Sequence, residues 1–402
     1  MLRVLEFRNI YLLPILAIAL FYVVPAFLGI IIGENSYAFE LFFLSISSVF
    51  IYFFSYKVFC GHWFTALYNS VLKIRIGLDF FSWFILAIYF LVIFYACLTA
   101  PDIALFAAIK GVSLTEISGL REEFLRTREG WERGLLYIYA ICVSSLVPLV
   151  IAQMFVAKSK WRFYVLFAFL FSLALTLEKG RALVAMLPLI VIFVNLGNRK
   201  KAYMIAFFLV VLIAIVSLVA RGGLASSENE GDANPLSGVP DEYNLFAGET
   251  SQFYYIVNRV WYIPYATAID WLRYRVVKLN DESTVGKSIS AVAWLTGEER
   301  VSLEQDVFTF QWGQNETGTG TANTVYYVDA FLTFGYFGVF LYSLLLAFCV
   351  RVCVCSRNKA LIACLAISVY YVCFNSLSAV LFSGGLGFIF LLALFFRISD
   401  AK

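Results

Sequence analysis

The stretch Tyr11 to Ile32, YLLPILAIALFYVVPAFLGIII, carries no charged side chain and is long enough to cross a bilayer as one helix. It is too long for the apolar region of a signal peptide and no small-residue cleavage site follows it, so it reads as a retained first span. Runs of similar length recur at Ala38 to Tyr56, Phe80 to Thr99, Leu135 to Phe155, Ala202 to Ala220, Ala330 to Val350 and Ala360 to Val380. Three shorter ones, Phe163 to Leu177, Ala182 to Leu196 and Leu386 to Phe396, bring the expected number to about ten. With 62% hydrophobic and only 14% charged residues, a chain of 402 residues is too apolar for a soluble domain. The expected fold is an all-α polytopic membrane protein, a single integral domain over residues 1–402.

Orientation follows from the short loops, where cytoplasmic Lys and Arg exceed those outside. An inside N-terminus places Arg3, Arg8, Lys57, Lys73, Arg75, Lys158, Lys160, Arg162, Arg199, Lys200, Lys201, Arg351, Arg357, Lys359, Arg397 and Lys402 on the cytoplasmic side. Only Glu6, Asp79 and Asp400 oppose them there. Roughly 16 bases less roughly 3 acids leaves about +13 inside, so the whole-chain +3 requires about −10 outside. Both termini are expected in the cytoplasm. Two extended polar segments then fall together outside: a first loop, 101–134, polar from Lys110 to Gly134, and a large loop, 221–323. All eight cysteines fall in spans or on the cytoplasmic side, so no disulfide is expected outside.

The first loop reads as one amphipathic helix from about Leu114 to Glu129. Ser113 with Glu116 fits a capping box, and Leu114, Ile117, Leu120 and Leu125 supply an apolar face. Glu122 with Arg126 and Glu129 with Arg133 form i,i+4 pairs of a self-neutralised solvated face. That leaves Arg121 and Arg128 as the better candidates for an anionic ligand. In the large loop, Gly222 to Asn244 is a weakly ordered connector, and from Phe246 onward aromatics interleave with Arg259, Asp270, Arg273 and Arg275. This stretch is expected to form one or two helices broken near Pro264 at the membrane interface. There Trp261, Tyr262, Tyr265 and Trp271 either anchor the interface or wall a sugar site by stacking on pyranose faces.

Three features tie these loops to the membrane. Glu178, Lys179 and Arg181 sit in the turn between two spans of about 15 residues, each reaching only about 22 Å, so a cationic turn lies below the outer surface. Arg221 ends the span Ala202 to Ala220 at headgroup depth, where snorkelling to lipid phosphates is the alternative role. Asp329 enters a span directly after Thr317-Gly318-Thr319-Gly320-Thr321, and a carboxylate there is expected to pair with an arginine or to be protonated. The only histidine, His62, lies on the cytoplasmic side, which excludes a Ser-His-Asp triad, a histidine base or a His-based zinc site in the outer loops. No Walker A or GxGxxG loop is present, and no metal site or internal repeat is apparent.

Taken together, the spans, the two unequal outer loops, Glu178-Lys179-Gly180-Arg181, Arg221, Asn258-Arg259-Val260-Trp261-Tyr262, and Thr321-Ala322-Asn323 leading into Phe334-Gly335-Tyr336-Phe337-Gly338 resemble a Wzy-type oligosaccharide repeat-unit polymerase. The likeness covers most of the chain in layout, through short motifs. It implies a GT-C-like architecture in a bacterial inner membrane and a role in O-antigen, lipopolysaccharide or capsule biosynthesis. The implied reaction moves a glycan from undecaprenyl diphosphate to the non-reducing end of a lipid-linked repeat unit at the periplasmic face. No cofactor is required; the implied partners are that lipid-linked oligosaccharide, membrane lipids and a Wzz-type chain-length regulator, and not nucleic acid.

Guanidinium groups preorganised at headgroup depth suit a diphosphate leaving group, which assigns Arg181, Arg221 and Arg259 to it, with Lys179 and Arg273 as helpers. In the related O-antigen ligases a histidine precedes the equivalent late span; here the stretch is Thr321-Ala322-Asn323, so a catalytic base must be a carboxylate, Asp329 or Glu249. Positioning without a strong base is the other option. The competing functions are a lipid-linked oligosaccharide flippase, whose charges would line a central passage, and an O-antigen ligase.

Overall fold

The computed structural model describes residues 5–7, 9–33, 36–125, 128–177, 179–219, 243, 254, 257–313, 315 and 320–399, and these are largely helical. The first part comprises α1 (Ile10–Ile32), α2 (Tyr37–Phe59), α3 (His62–Ser70), β1 (Ile74–Gly77) and α4 (Leu78–Thr99). Two short helices, α5 (Ala104–Ile109) and α6 (Leu114–Leu125), lead into α7 (Gly130–Val156), α8 (Arg162–Leu175), α9 (Lys179–Asn195) and α10 (Arg199–Val219). After the large loop's first part come α11 (Ile263–Lys278), α12 (Ser290–Thr296) and α13 (Leu303–Trp312). The chain closes with α14 (Tyr326–Cys355), α15 (Lys359–Phe374), α16 (Leu377–Leu381), α17 (Leu386–Phe395) and β2 (Phe396–Ser399).

Among the described residues five helices, α1, α2, α4, α7 and α14, are long and apolar enough to cross a membrane. Their surfaces explain how such apolar helices still pack specifically. On α2 the exposed Phe39, Phe43, Phe50 and Phe54 recur at helical spacing, while Ala38, Leu41, Ser45, Ser48 and Tyr52 are buried. Bulk faces outward and small or hydroxylated residues face inward, the arrangement expected where lipid removes any hydrophobic drive between helices. The inner face is joined to α14, the helix it packs against, by a 2.6 Å hydrogen bond between the Ser45 and Tyr327 hydroxyls.

Proline shapes three helices in the same way. A π turn, Ala19–Val23, precedes Pro25; another, Cys142–Leu146, precedes Pro148; a third, Asn258–Tyr262, leads into α11 ahead of Pro264. Proline has no N–H and its ring crowds the carbonyl four residues back, so the helix widens by one residue just before it. The expected break at Pro264 is therefore replaced by a continuous helix, with Pro264 in its first turn, where the missing donor is harmless.

Two apolar runs that read as unbroken spans are interrupted. The Ala330 to Val350 run breaks at Phe334 and Gly335, where Gly335 has φ 64° and ψ −153°, a conformation essentially confined to glycine. The Leu332 carbonyl accepts instead from Thr284 N at 2.9 Å, which satisfies the backbone at the break. The Ala360 to Val380 run ends as α15 at Phe374, and Asn375 is extended at φ −149°, ψ 161°. Ser376 then caps α16 by accepting from Ala379 N at 3.2 Å, so a polar Asn-Ser pair offers the backbone an alternative to continued helix. A small parallel pair of strands, β1 with β2, ties the loop after α3 to the chain's last described residues and sets Arg75 opposite Arg397.

Candidate functional site

The cationic turn expected between two spans is shorter than its sequence suggested. Thr176 and Leu177 turn the chain, Leu177 at φ 51°, and Lys179 already opens α9, so Lys179 and Arg181 lie on the first turn of a helix. The backbone there packs against α15: a Cβ added at Gly180 would stand 3.9 Å from the Tyr370 hydroxyl. Tyr370 packs on Phe374, and Phe374 on Phe21 of the first π turn, each pair with ring centroids 5.2 Å apart.

The Arg259 segment reaches that same π turn from another direction. Pro25 cannot donate to a preceding carbonyl, and the indole N–H of Trp261 donates to Leu20 O at 2.9 Å in its place. The Asn258–Tyr262 turn thus bonds to Leu20 of α1 directly, whereas the start of α9 packs on Tyr370 of α15, whose neighbour Phe374 packs on Phe21. Arg259 is exposed there. Arg221 and Glu249 lie outside the described residues. Arg273 is exposed on α11, its guanidinium carbon 5.8 Å from the Phe310 ring centroid.

The first loop covers the start of α9. Ile117 of α6 packs with Leu177, Ala104 and Ala108 in a small cluster that Leu120 borders. The serine half of the capping box forms: Glu116 N donates to Ser113 Oγ at 3.4 Å, and that hydroxyl donates to the Glu116 carboxylate at 3.1 Å. The two arginines singled out in this loop behave differently. Arg128 pairs with Glu132 at 3.5 Å and lies 5.9 Å from the Tyr95 ring centroid, so it is occupied. Arg121, four residues beyond Ile117 and on its face of the helix, has a buried Nε with no hydrogen-bond partner.

Beneath these cations the large loop builds a packed cap. Trp271 is fully buried and donates its indole N–H to Ala322 O at 2.9 Å, while Ala322 N donates to Glu304 O at 2.8 Å. Asp270 accepts from the Tyr243 hydroxyl and from Gln311 Nε2, both at 2.8 Å, and Asn258 Nδ2 donates to Tyr243 O at 2.8 Å. Each buried polar group of this set therefore has a partner, which rigidifies the cap. The four rings expected at a sugar wall divide: Tyr265 and Trp271 are buried and serve packing, whereas Trp261 and Tyr262 keep part of their surface. Tyr265 packs so close to α1 that a Cβ at Gly29 would collide with its hydroxyl.

Asp329 lies in the first turn of α14 at 4% exposure. The arginine partner expected for it is absent: its carboxylate has no ion pair or hydrogen bond among the described residues. Its electrostatic neighbours are Glu304 of α13 and Tyr342 of α14, and the Tyr342 hydroxyl is buried without a hydrogen-bond partner. Nearby on α13, burial pushes the Asp306 carboxyl above its ordinary range, and burial followed by the Asp306 charge does the same to Tyr274. Glu304 and Tyr342 carried no signal in the sequence, because their proximity to Asp329 arises from the fold of the cap.

No family model matches the chain, and no curated protein or solved structure matches it either. The arrangement is therefore interpreted by its chemistry. It offers the exposed Arg259 and Arg273, two partly exposed aromatic rings, Trp261 and Tyr262, and a buried carboxylate, Asp329, with the half-buried Glu304 and the unbonded Tyr342 phenol as its neighbours.

Proposed function

We propose that the chain is a membrane glycosyltransferase of the Wzy type, a polymerase of lipid-linked oligosaccharide repeat units, with about ten spans of GT-C-like layout and both termini in the cytoplasm of a bacterium. The observation that supports this reading is that Trp261, two residues after Arg259, donates to Leu20 O in the proline-widened turn of α1, while the start of α9, which carries Lys179 and Arg181, packs on α15, whose Phe374 packs on Phe21 of that turn. A diphosphate at headgroup depth is the anion such a rim suits, because guanidinium groups pair its oxygens in forked geometry. In this reading Arg181, Arg221 and Arg259 hold the diphosphate, with Lys179, Arg273 and Arg121 beside them, and Trp261 and Tyr262 stack on the sugar.

The reaction forms one bond and breaks one. An acceptor sugar hydroxyl oxygen attacks the anomeric carbon of the donor, the bond from that carbon to the diphosphate oxygen breaks, and undecaprenyl diphosphate leaves with the bonding pair. The hydroxyl proton passes to a carboxylate, Asp329 or Glu249. Arginines fixed before the reaction stabilise charge that develops only as the bond breaks, which lowers the barrier without cofactor or nucleotide. A Wzz-type regulator would set chain length, and the product would enter O-antigen or capsule.

The test is reconstitution with a purified lipid-linked repeat unit, read as a ladder of products together with released undecaprenyl diphosphate. Arg181→Ala and Arg259→Ala are expected to remain folded and inserted but to make no ladder, while single repeat units still reach the outer surface in cells. Repeat units trapped on the cytoplasmic side in those variants would falsify the polymerase reading in favour of a flippase. Long polymer stranded on its carrier when the protein is lost would instead indicate a ligase.

A further inference from the structure

The other end of the bundle holds a cavity that this proposed chemistry does not use. About 22 residues beyond Asp329 on α14, or roughly 30 Å along a helix, Arg351 lines a cavity of about 690 Å³ with Lys73, Arg357 and Arg397. These four cations come from three separate parts of the chain: the segment entering β1, the end of α14 with its turn, and β2. Among the described residues none of them makes an ion pair and no Asp or Glu lines the cavity. An inside-positive charge bias explains the sign of these residues but not their convergence on one concave space.

The cations are held in place. Arg351 donates Nε to Phe59 O at 3.1 Å and Nη2 to Thr65 Oγ1 at 3.4 Å, which leaves the rest of its five donors for a ligand. Lys73 Nζ lies 3.5 Å from the Tyr68 ring centroid, and its amine is held below the ordinary lysine range by burial and then by the Arg397 charge, against an opposing effect of Cys355. Arg357 adopts φ 56° at the position after α14 where glycine is the ordinary choice, so a cation stands at the mouth at a cost in backbone strain. In β1 and β2, Arg75 and Arg397 face each other directly, a like-charged pair that is unfavourable without a counter-ion.

We infer that this cavity binds a phosphate-bearing anion, with the phosphodiester headgroup of an anionic lipid as its natural source. The lipid follows from the cavity's rim: Leu72 and Ile74, on either side of Lys73, are 86% and 56% exposed, so the segment presents apolar surface for acyl chains while Lys73 lines the cavity. Basic pockets between membrane helices recognise anionic headgroups by this combination of charge and apolar surface. Free phosphate shares the headgroup's chemistry, and the two sources separate experimentally.

The full chain in nonionic detergent is titrated calorimetrically with dihexanoyl phosphatidylglycerol, dihexanoyl phosphatidylcholine and inorganic pyrophosphate. Saturable binding of phosphatidylglycerol, at least tenfold tighter than phosphatidylcholine, is expected. The double variant Arg357→Gln/Arg397→Gln removes two exposed cations that repel their neighbours, so it folds, and it should weaken that binding at least tenfold. Lys200→Gln, an exposed charge on α10, should leave it unchanged. Pyrophosphate binding that competes with the lipid and is lost in the double variant supports the anion site and assigns it to a soluble ligand. Absence of saturable binding for both anions, or equal affinity in the double variant, overturns the inference.

Discussion

The two ends of the bundle solve opposite electrostatic problems. At the end built by α6, α11, α13 and the start of α14, acids and bases interleave: Arg128 with Glu132, Arg275 with Asp281, Lys287 with Glu298. At the other, Lys73, Arg351, Arg357 and Arg397 surround a cavity without any acid among its lining residues. The first end also has the irregular backbone, with the Ala19–Val23 π turn and the Phe334–Gly335 break, whereas the second is closed by a regular two-stranded pair. Irregular backbone in an apolar setting persists only where other groups satisfy it, and such sites gather at functional surfaces. Under the two proposals above, the contrast is between a surface for charge that changes during a reaction and one for a standing negative charge.

After the complete loss of the ladder expected for Arg181→Ala and Arg259→Ala, the next largest effect tests that contrast. Arg121→Ala, which removes the guanidinium with the unbonded Nε, should lower polymer formation about 100-fold, near 2.7 kcal/mol in activation free energy. Arg128→Ala, already paired with Glu132, should change the rate by less than about threefold, and Arg357→Gln at the opposite end by no more. Equal losses in Arg121→Ala and Arg357→Gln ladders would mean that the ends do not divide the work. Next come the glycines on which the packing depends. Gly335→Ala forces a side chain into φ 64°, and Gly385→Ala, at φ 78°, also drives a Cβ into Ser145. Each should cost about 2–4 kcal/mol, read as a fall in the thermal unfolding midpoint of detergent-solubilised protein, with Gly385→Ala the more damaging.

Those glycines show what the sequence does and does not disclose. Five of the expected spans were legible because a long apolar run has few alternatives, and the Ser113–Glu116 contact because its partners are three residues apart. The break at Gly335 was not, since a glycine inside an apolar run has the same composition whether the helix continues or stops. Nor was the capture of Leu20 O by Trp261, which links residues 241 positions apart. Trp271 illustrates the same limit: interleaving with arginines suggested a surface ring, but its indole is buried against Ala322. The sequence marks Arg259 and Lys179–Arg181 as cations, yet only the fold shows the segment holding Arg259 bonded to the α1 π turn and the start of α9 packed on α15.

Smaller effects sharpen the account of the end that carries the large loop. Asp270→Ala should destabilise by about 2 kcal/mol, because the Tyr243 hydroxyl and Gln311 Nε2, which both donate to the one carboxylate oxygen Oδ2, lose their acceptor. Trp261→Phe, which keeps the ring but returns Leu20 O to an unsatisfied state, should cost about 1 kcal/mol in chemical denaturation. A comparable loss from Trp261→Phe in polymer formation alone, with unchanged stability, would instead place the indole N–H on substrate.

The smallest effect is a change of sign in pH dependence. Burial raises the Asp306 carboxyl above its unfolded value, so between the two the native state holds a proton that the unfolded chain has lost. Stability from this group is present below the unfolded value of about 3.9 and is lost as pH rises through the raised native value, opposite to a salt-bridged aspartate. Asp306→Asn cannot ionise, so it should be slightly more stable than the native chain at neutral pH, and its advantage should shrink to nothing as pH falls through that window. Asp102 at the first loop is the contrasting case: the Ile103 amide and the Lys110 ammonium hold its carboxyl below the ordinary range, so its contribution is lost on acidification. Unfolding midpoints of Asp306→Asn and Asp102→Asn measured against pH should therefore both depart from the native curve toward neutral pH, Asp306→Asn upward and Asp102→Asn downward, and rejoin it on acidification. Parallel curves for the two variants would remove the distinction between a carboxylate strained by burial beside the reactive cluster and one fixed by pairing at its margin.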